Sequence, residues 1–224
     1  VAGEAPLDTV EIETVESPAA SILWLHGLGA DAHDFEPIVP DLAAAGVRAR
    51  FVFPNAPVRP ITINGGFPMR AWFDIRGPDG PPDEPAVRAS DRAVRALIER
   101  EKSRGVAPER IVLAGFSQGG AMAVFTGARH PERLAGIIGL SCFDPLPGTL
   151  GREHHEANAS TPILLAHGTQ DPIVPLPMAL SLRAELESHG HRVEWLEYPI
   201  PHTVSMEEVQ AIGAWLRRVL HGTG

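Results

Sequence analysis

A chain of 224 residues with 44% apolar and 21% charged side chains suits a single α/β domain and is too apolar to be disordered. At this size roughly 70% of the unfolded chain's surface can be buried, enough for a self-sufficient core. The net charge of −9 comes from 19 basic residues against 28 acidic ones. With the arginines scattered along the chain, a nucleic-acid partner is excluded, because phosphate binding needs a clustered basic face.

Cys142 is the lone cysteine, so no intrachain disulfide can form, which suits a reducing compartment. The stretch VAGEAPLDTVEIE is acidic where a secretory leader is basic and then apolar. The longest apolar run, 134–143, is about half of a ~20-residue membrane span. A cytoplasmic location without an integral membrane segment is expected.

In chain order the pattern predicts strands at 10–15 and 21–25, a helix at 41–46, and a strand at 50–53. A long segment at 54–83, dense in Pro and Gly, reads as irregular. A helix at 85–104 follows, with Pro85 in its first turn and Gly105 at its end. Next come a strand at 110–114, a helix at 118–129 and a strand at 134–140. A second irregular segment covers 143–161. Strands at 162–166 and 193–197 then alternate with helices at 176–188 and 206–220. In the last helix Val209, Ile212, Leu216 and Val219 recur at steps of three and four, one apolar stripe.

Continuous Ile/Leu/Val strands alternating with helices predict a mostly parallel sheet covered on both faces. No repeat or linker divides residues 1–224. The two irregular segments are insertions in one domain, and neither is long enough to form a cap domain. Loops of this length in a compact domain are usually functional.

Gly115-Phe116-Ser117-Gln118-Gly119 matches the G-x-S-x-G nucleophile elbow, between a predicted strand and a predicted helix as that turn requires. Side chains two positions either side of the serine would collide there, and glycine removes the clash. Ser117 is therefore the candidate nucleophile. The backbone N–H of Gln118, opening the helix, is suited to stabilising negative charge.

A serine hydroxyl needs an imidazole to take its proton and a carboxylate to orient that imidazole, in the chain order Ser, acid, His. His202 lies between the last strand and the last helix, at the sheet edge where catalytic groups gather. His130, His189, His191 and His221 sit at helix ends or in the tail. Two acids are open at this point: Asp171, beyond the strand at 162–166, and Asp144, beyond the strand before it. His26-Gly27-Leu28-Gly29-Ala30 follows an early strand, which makes the N–H of Leu28 the second oxyanion donor. Ile61, Ile63, Phe67, Met69, Trp72 and Phe143 offer an apolar surface for an acyl chain. Glu153-His154-His155-Glu156 is the densest set of metal-ligand types, but adjacent residues do not converge as HExxH does, so no metal is expected. Cys142 has no elbow and reads as a buried small residue.

With these residues placed, the chain resembles the carboxylesterase, phospholipase and acyl-protein thioesterase family of small α/β-hydrolases. The resemblance rests on HGLGADAHDF from His26, FPNAP from Phe53, ITINGGFPMRAWFD from Ile61, GFSQGGAMA from Gly115, HGTQDPIVP from His167, and His202. It implies a triad of Ser117, Asp171 and His202, oxyanion donors at Leu28 and Gln118, and an acyl groove around Ile61 and Trp72 with Met69, Phe143 and Val174 nearby. It implies a small-molecule ester or acyl substrate and no cofactor, and it admits a homodimer. Short-to-medium-chain ester hydrolysis is the first expectation, with acyl-protein thioesterase or lysophospholipase as the alternative and a non-catalytic hydrolase-fold binding protein as the second. Members often carry Gly before the catalytic His; here Pro201 fixes its own φ and biases Ile200 to extended geometry.

Overall fold

The computed structural model describes residues 6–77 and 80–221. Seven strands form the main sheet: β1 (Thr9–Glu13), β2 (Ser21–Leu25), β3 (Arg50–Pro54), β6 (Ile111–Phe116), β7 (Gly136–Leu140), β8 (Ile163–Gly168) and β9 (Val193–Tyr198), with β4 (Val58–Ile61) and β5 (Phe67–Arg70) set apart in a small hairpin. The order is β1-β3-β2-β6-β7-β8-β9. Only β1 runs antiparallel to its neighbour; the remaining pairs are parallel.

The central strands are buried along their whole length because both faces are covered. Alternate residues divide between two cores. On one face Leu23, Leu113, Ile137 and Leu165 pack with Val94, Leu97 and Ile98 of α2 (Glu84–Ser103), with α3 (Gln118–Arg129), and with Leu182 and Leu186 of α5 (Leu176–Ser188). On the other, Ile22, Trp24, Val112, Ile138 and Leu164 meet Leu42 of α1 (Val39–Ala44) and Val209, Ile212 and Leu216 of α6 (Met206–His221). The apolar stripe foreseen on the last helix is the one that faces the sheet.

Segment 54–83 is not wholly irregular. It holds an antiparallel hairpin of β4 (Val58–Ile61) and β5 (Phe67–Arg70), turning through Gly65 at φ 67° and Gly66 at φ 80°. Pro60 and Pro68, which argue against strands when read singly, face one another across this pair. Within 143–161 a short helix, α4 (Leu150–Glu153), forms. Among the described residues no helix is long and apolar enough to cross a membrane.

Candidate active site

Parallel strands bring β6, β7 and β8 to one edge at their C-terminal ends, and Ser117 stands there between β6 and α3. Its backbone adopts φ 56°, ψ −121°, a region costly for a residue with a Cβ and characteristic of strained functional turns. The turn is held by Ser117 N–H donating to Leu140 O at 2.8 Å and Ala121 N–H to Ser117 O at 2.9 Å. Both flanking glycines are obligatory. A Cβ at Gly115 would lie 2.3 Å from the Gly119 carbonyl carbon, and one at Gly119 would lie 2.1 Å from Leu25 O.

His202 Nδ1 lies 2.6 Å from Asp171 Oδ2. A carboxylate accepts, so Nδ1 carries the proton and Nε2 is left to accept one. Oδ1 of Asp171 accepts from the N–H groups of Ile173 and Val174 at 2.8 and 2.9 Å, which fixes the carboxylate's orientation. His167 supports the same turn, its Nε2–H donating to Val174 O at 2.9 Å. The Phe116 ring lies against His202, with centroids 4.6 Å apart, linking the elbow to the imidazole. A Cβ at Gly168 would meet Ile200 O at 2.4 Å and Pro201 O at 2.6 Å, so glycine is needed for the His202 loop to close on β8.

Asp144, the rival acid, serves a turn instead: its Oδ1 accepts from Leu146 N–H at 2.9 Å. Burial pushes its carboxyl above the usual range. His130 is buried at the end of α3, where Nδ1 accepts from Glu132 N–H. His189 and His191 lie before β9, at the opposite sheet edge from Ser117.

The 26–30 loop is placed against the elbow: a Cβ on Gly27 would lie 3.5 Å from Ser117 Cβ. His26 is buried and kept neutral by burial, which lowers its pKa. Its Nε2 accepts from Ala56 N–H at 3.0 Å, so Nδ1–H faces Gly27 O at 2.6 Å. Trp72 Nε1–H donates to His26 O at 2.9 Å, and Gly29 N–H donates to Arg70 O at 2.9 Å. The Gln118 side chain completes the frame, accepting from Trp72 N–H at 3.1 Å and donating to Phe73 O at 2.9 Å. The motif singled out Gln118 for its backbone alone. The clamp made by its side chain carries no local sequence signal, since its partners lie some 45 residues away.

The groove residues require a correction. Ile61 and Trp72 are 0% exposed and Val174 is 4% exposed, so these three are structural supports and not groove walls. Trp72 in particular braces the 26–30 loop. Met69 and Phe143 are half-buried, with Met69 Sδ 3.5 Å from where a Gly29 Cβ would be. Among the exposed large apolar side chains are Val58, Ile63 and Phe67 of the hairpin and Ile173, two residues beyond Asp171.

Cys142 is buried, which pushes its thiol up to about 12, far from nucleophilic ionisation. Glu153, in the same run as His154 and His155, lies in α4. It pairs with Arg88 at 2.6 Å and Arg129 at 2.8 Å, which hold its carboxyl down at about 2.

A mostly parallel sheet with a left-handed serine at the end of a central strand is the architecture of an α/β-hydrolase. Residues 7–220 match the Phospholipase/Carboxylesterase family, and the chain belongs to it, as an enzyme of the serine-hydrolase type acting on ester bonds. It is 35% identical over 213 residues to acyl-protein thioesterase 1 of Gibberella zeae, covering 90% of this chain and 91% of that protein. It is 34% identical over 210 residues to the carboxylesterase SOBER1 of Arabidopsis thaliana, covering 90% and 91%. The crystal structure of SOBER1 superposes with a TM-score of 0.84 at 33% identity, over 90% of this chain and 99% of that one.

Proposed function

We propose that the chain is a serine carboxylesterase that hydrolyses short-to-medium-chain carboxylic esters through Ser117, His202 and Asp171. The observation that carries this reading is a strained serine at the same sheet edge as an imidazole–carboxylate pair 2.6 Å apart. Ser117 Oγ attacks the carbonyl carbon as His202 Nε2 takes its proton, and Asp171 stabilises the imidazolium. The tetrahedral oxyanion is met by the N–H groups of Leu28 and Gln118, each typically worth 2.7–4 kcal/mol. Gln118 adds the positive end of α3. The alcohol leaves with the proton from His202, and a water activated by the same imidazole releases the acid from the acyl-enzyme. No cofactor takes part.

A thioesterase reading has support in the name of the Gibberella zeae relative, because ester and thioester cleavage use the same groups. A turnover panel separates them: nitrophenyl esters of two to sixteen carbons, S-acyl peptides and lysolipids. Burial of each methylene is worth about 0.8 kcal/mol, roughly fourfold per carbon. The exposed or half-buried apolar side chains Ile63, Phe67, Met69, Phe143 and Ile173 are the ones assigned to the acyl chain. kcat/KM is therefore expected to climb over about four to eight carbons and then flatten. Phe67→Ser should depress octanoate more than acetate. Improvement continuing to palmitoyl substrates favours the thioesterase or lysophospholipase, and a single stoichiometric acylation without turnover favours a binding protein.

A further inference from the structure

We propose that His154, His189 and His191 form a binding site for a divalent transition-metal ion of the zinc, nickel or copper type, at the sheet edge opposite Ser117. The fold assembles this cluster from two places: His154 ends α4, while His189 and His191 flank the turn between α5 and β9. Ring centroids are 5.6 Å apart for His154 and His189, and 5.9 Å for His154 and His191. Imidazoles bound to zinc through nitrogens at 2.0–2.1 Å have centroids about 5 Å apart at tetrahedral angles. The His154 ring thus stands within about 1 Å of ligating separation from each of the other two.

Unused bonding capacity lies in the same cluster. His191 is 3% exposed, yet neither of its ring nitrogens has a hydrogen-bond partner, and Nδ1 of His154 is likewise buried and unpaired. The Asn158 backbone lies near His191 without meeting hydrogen-bond geometry. Buried polar atoms of this kind call for a water or an ion. His189 is oriented as metal ligands usually are: its Nδ1–H donates to Glu185 O at 2.8 Å, which leaves the Nε2 lone pair free. That nitrogen now faces Gly151, where a Cβ would lie 2.3 Å from it, so the His189 ring must swing away from Gly151 to meet an ion.

In this conformation the three nitrogens do not yet meet at one point. Turning a ring about Cβ–Cγ moves its nitrogens and leaves its centre in place, and no hydrogen bond holds the His191 ring. The His189 side chain is 28% exposed, which gives the ion a way in. Three imidazoles suit zinc, nickel and copper. A second grouping, Glu99, His130 and Glu132, brings three ligand atoms within 4.8 Å of one another. The Lys102 ammonium already bridges its two carboxylates, so that position holds a cation.

The test uses the full chain, stripped with EDTA and desalted, and titrated calorimetrically with zinc chloride. Copper(II) then serves as a probe of nitrogen ligation by electron paramagnetic resonance. The expected result is one zinc per chain, nitrogen couplings from imidazole, and affinity weakened about tenfold or more in His154→Gln and in His189→Ala. Both substitutions fall outside the sheet and its two cores. No saturable zinc binding by the wild-type chain, binding that survives both substitutions, or binding that Glu132→Gln abolishes would overturn the proposal.

Discussion

Asp171→Asn is the substitution whose effect follows most directly from the geometry. The Asp171 carboxylate accepts three hydrogen bonds: Oδ1 from the N–H groups of Ile173 and Val174, and Oδ2 from His202 Nδ1–H at 2.6 Å. An asparagine oxygen can keep the two backbone bonds, so the turn survives. Its NH₂ then faces His202 and donates to Nδ1. That forces the proton onto Nε2, where it blocks acceptance from Ser117. In serine hydrolases the wrong tautomer costs about 10⁴ in kcat, or about 5 kcal/mol at the transition state. Asp144→Asn should cost little, because an amide oxygen still accepts from Leu146 N–H and no imidazole depends on it. The assay is kcat/KM on nitrophenyl butyrate for both variants, with thermal unfolding run alongside. The expected outcome is a loss near 10⁴-fold in Asp171→Asn at a nearly unchanged unfolding midpoint, against a small loss in Asp144→Asn. The reverse order, or equal small losses, would refute the reasoning and transfer the acid role.

Trp72→Phe removes the indole N–H that binds His26 O. A net bond of about 1 kcal/mol predicts up to about fivefold lower kcat, equal for acetate and octanoate esters. A loss confined to the longer ester would make Trp72 a groove wall. Glu208 is 2% exposed with an unpaired Oε1, and burial pushes its carboxyl up to about 7. The folded state therefore holds a proton that the unfolded chain releases near pH 4.5. The stability this provides is present below that pH and lost as pH rises through about 7. Glu208→Gln should accordingly raise stability by up to about 3 kcal/mol at pH 8 relative to its effect at pH 4. Denaturant melts at the two values check this, and equal effects at both would contradict it.

The strands, the helices and the elbow were legible because they rest on local pattern. Residues 21–25, 118–129 and 176–188 coincide with the observed β2, α3 and α5. The hairpin was hidden by Pro60 and Pro68, since a proline removes a ladder donor and is tolerated only in an edge strand, which both strands of a two-stranded hairpin are. Ile61 and Trp72 were visible as apolar residues near the nucleophile, but sequence carries no depth, and both proved to be support. The Gln118 clamp and the pairing of Glu101 with Ser21 and Arg50 depend on contacts between distant segments. The same is true of the cluster of His154, His189 and His191: the adjacent His154 and His155 stand out in the sequence, while the partners of His154 lie 35 and 37 residues on.

The central claim is that Ser117 is the nucleophile, and labelling tests it most directly. The wild-type chain is incubated with a fluorophosphonate, weighed intact and mapped by peptide mass spectrometry. One adduct per chain, located on Ser117 and absent in Ser117→Ala together with ester turnover, is the predicted result. An adduct on another residue, or labelling and turnover that persist in Ser117→Ala, would contradict it.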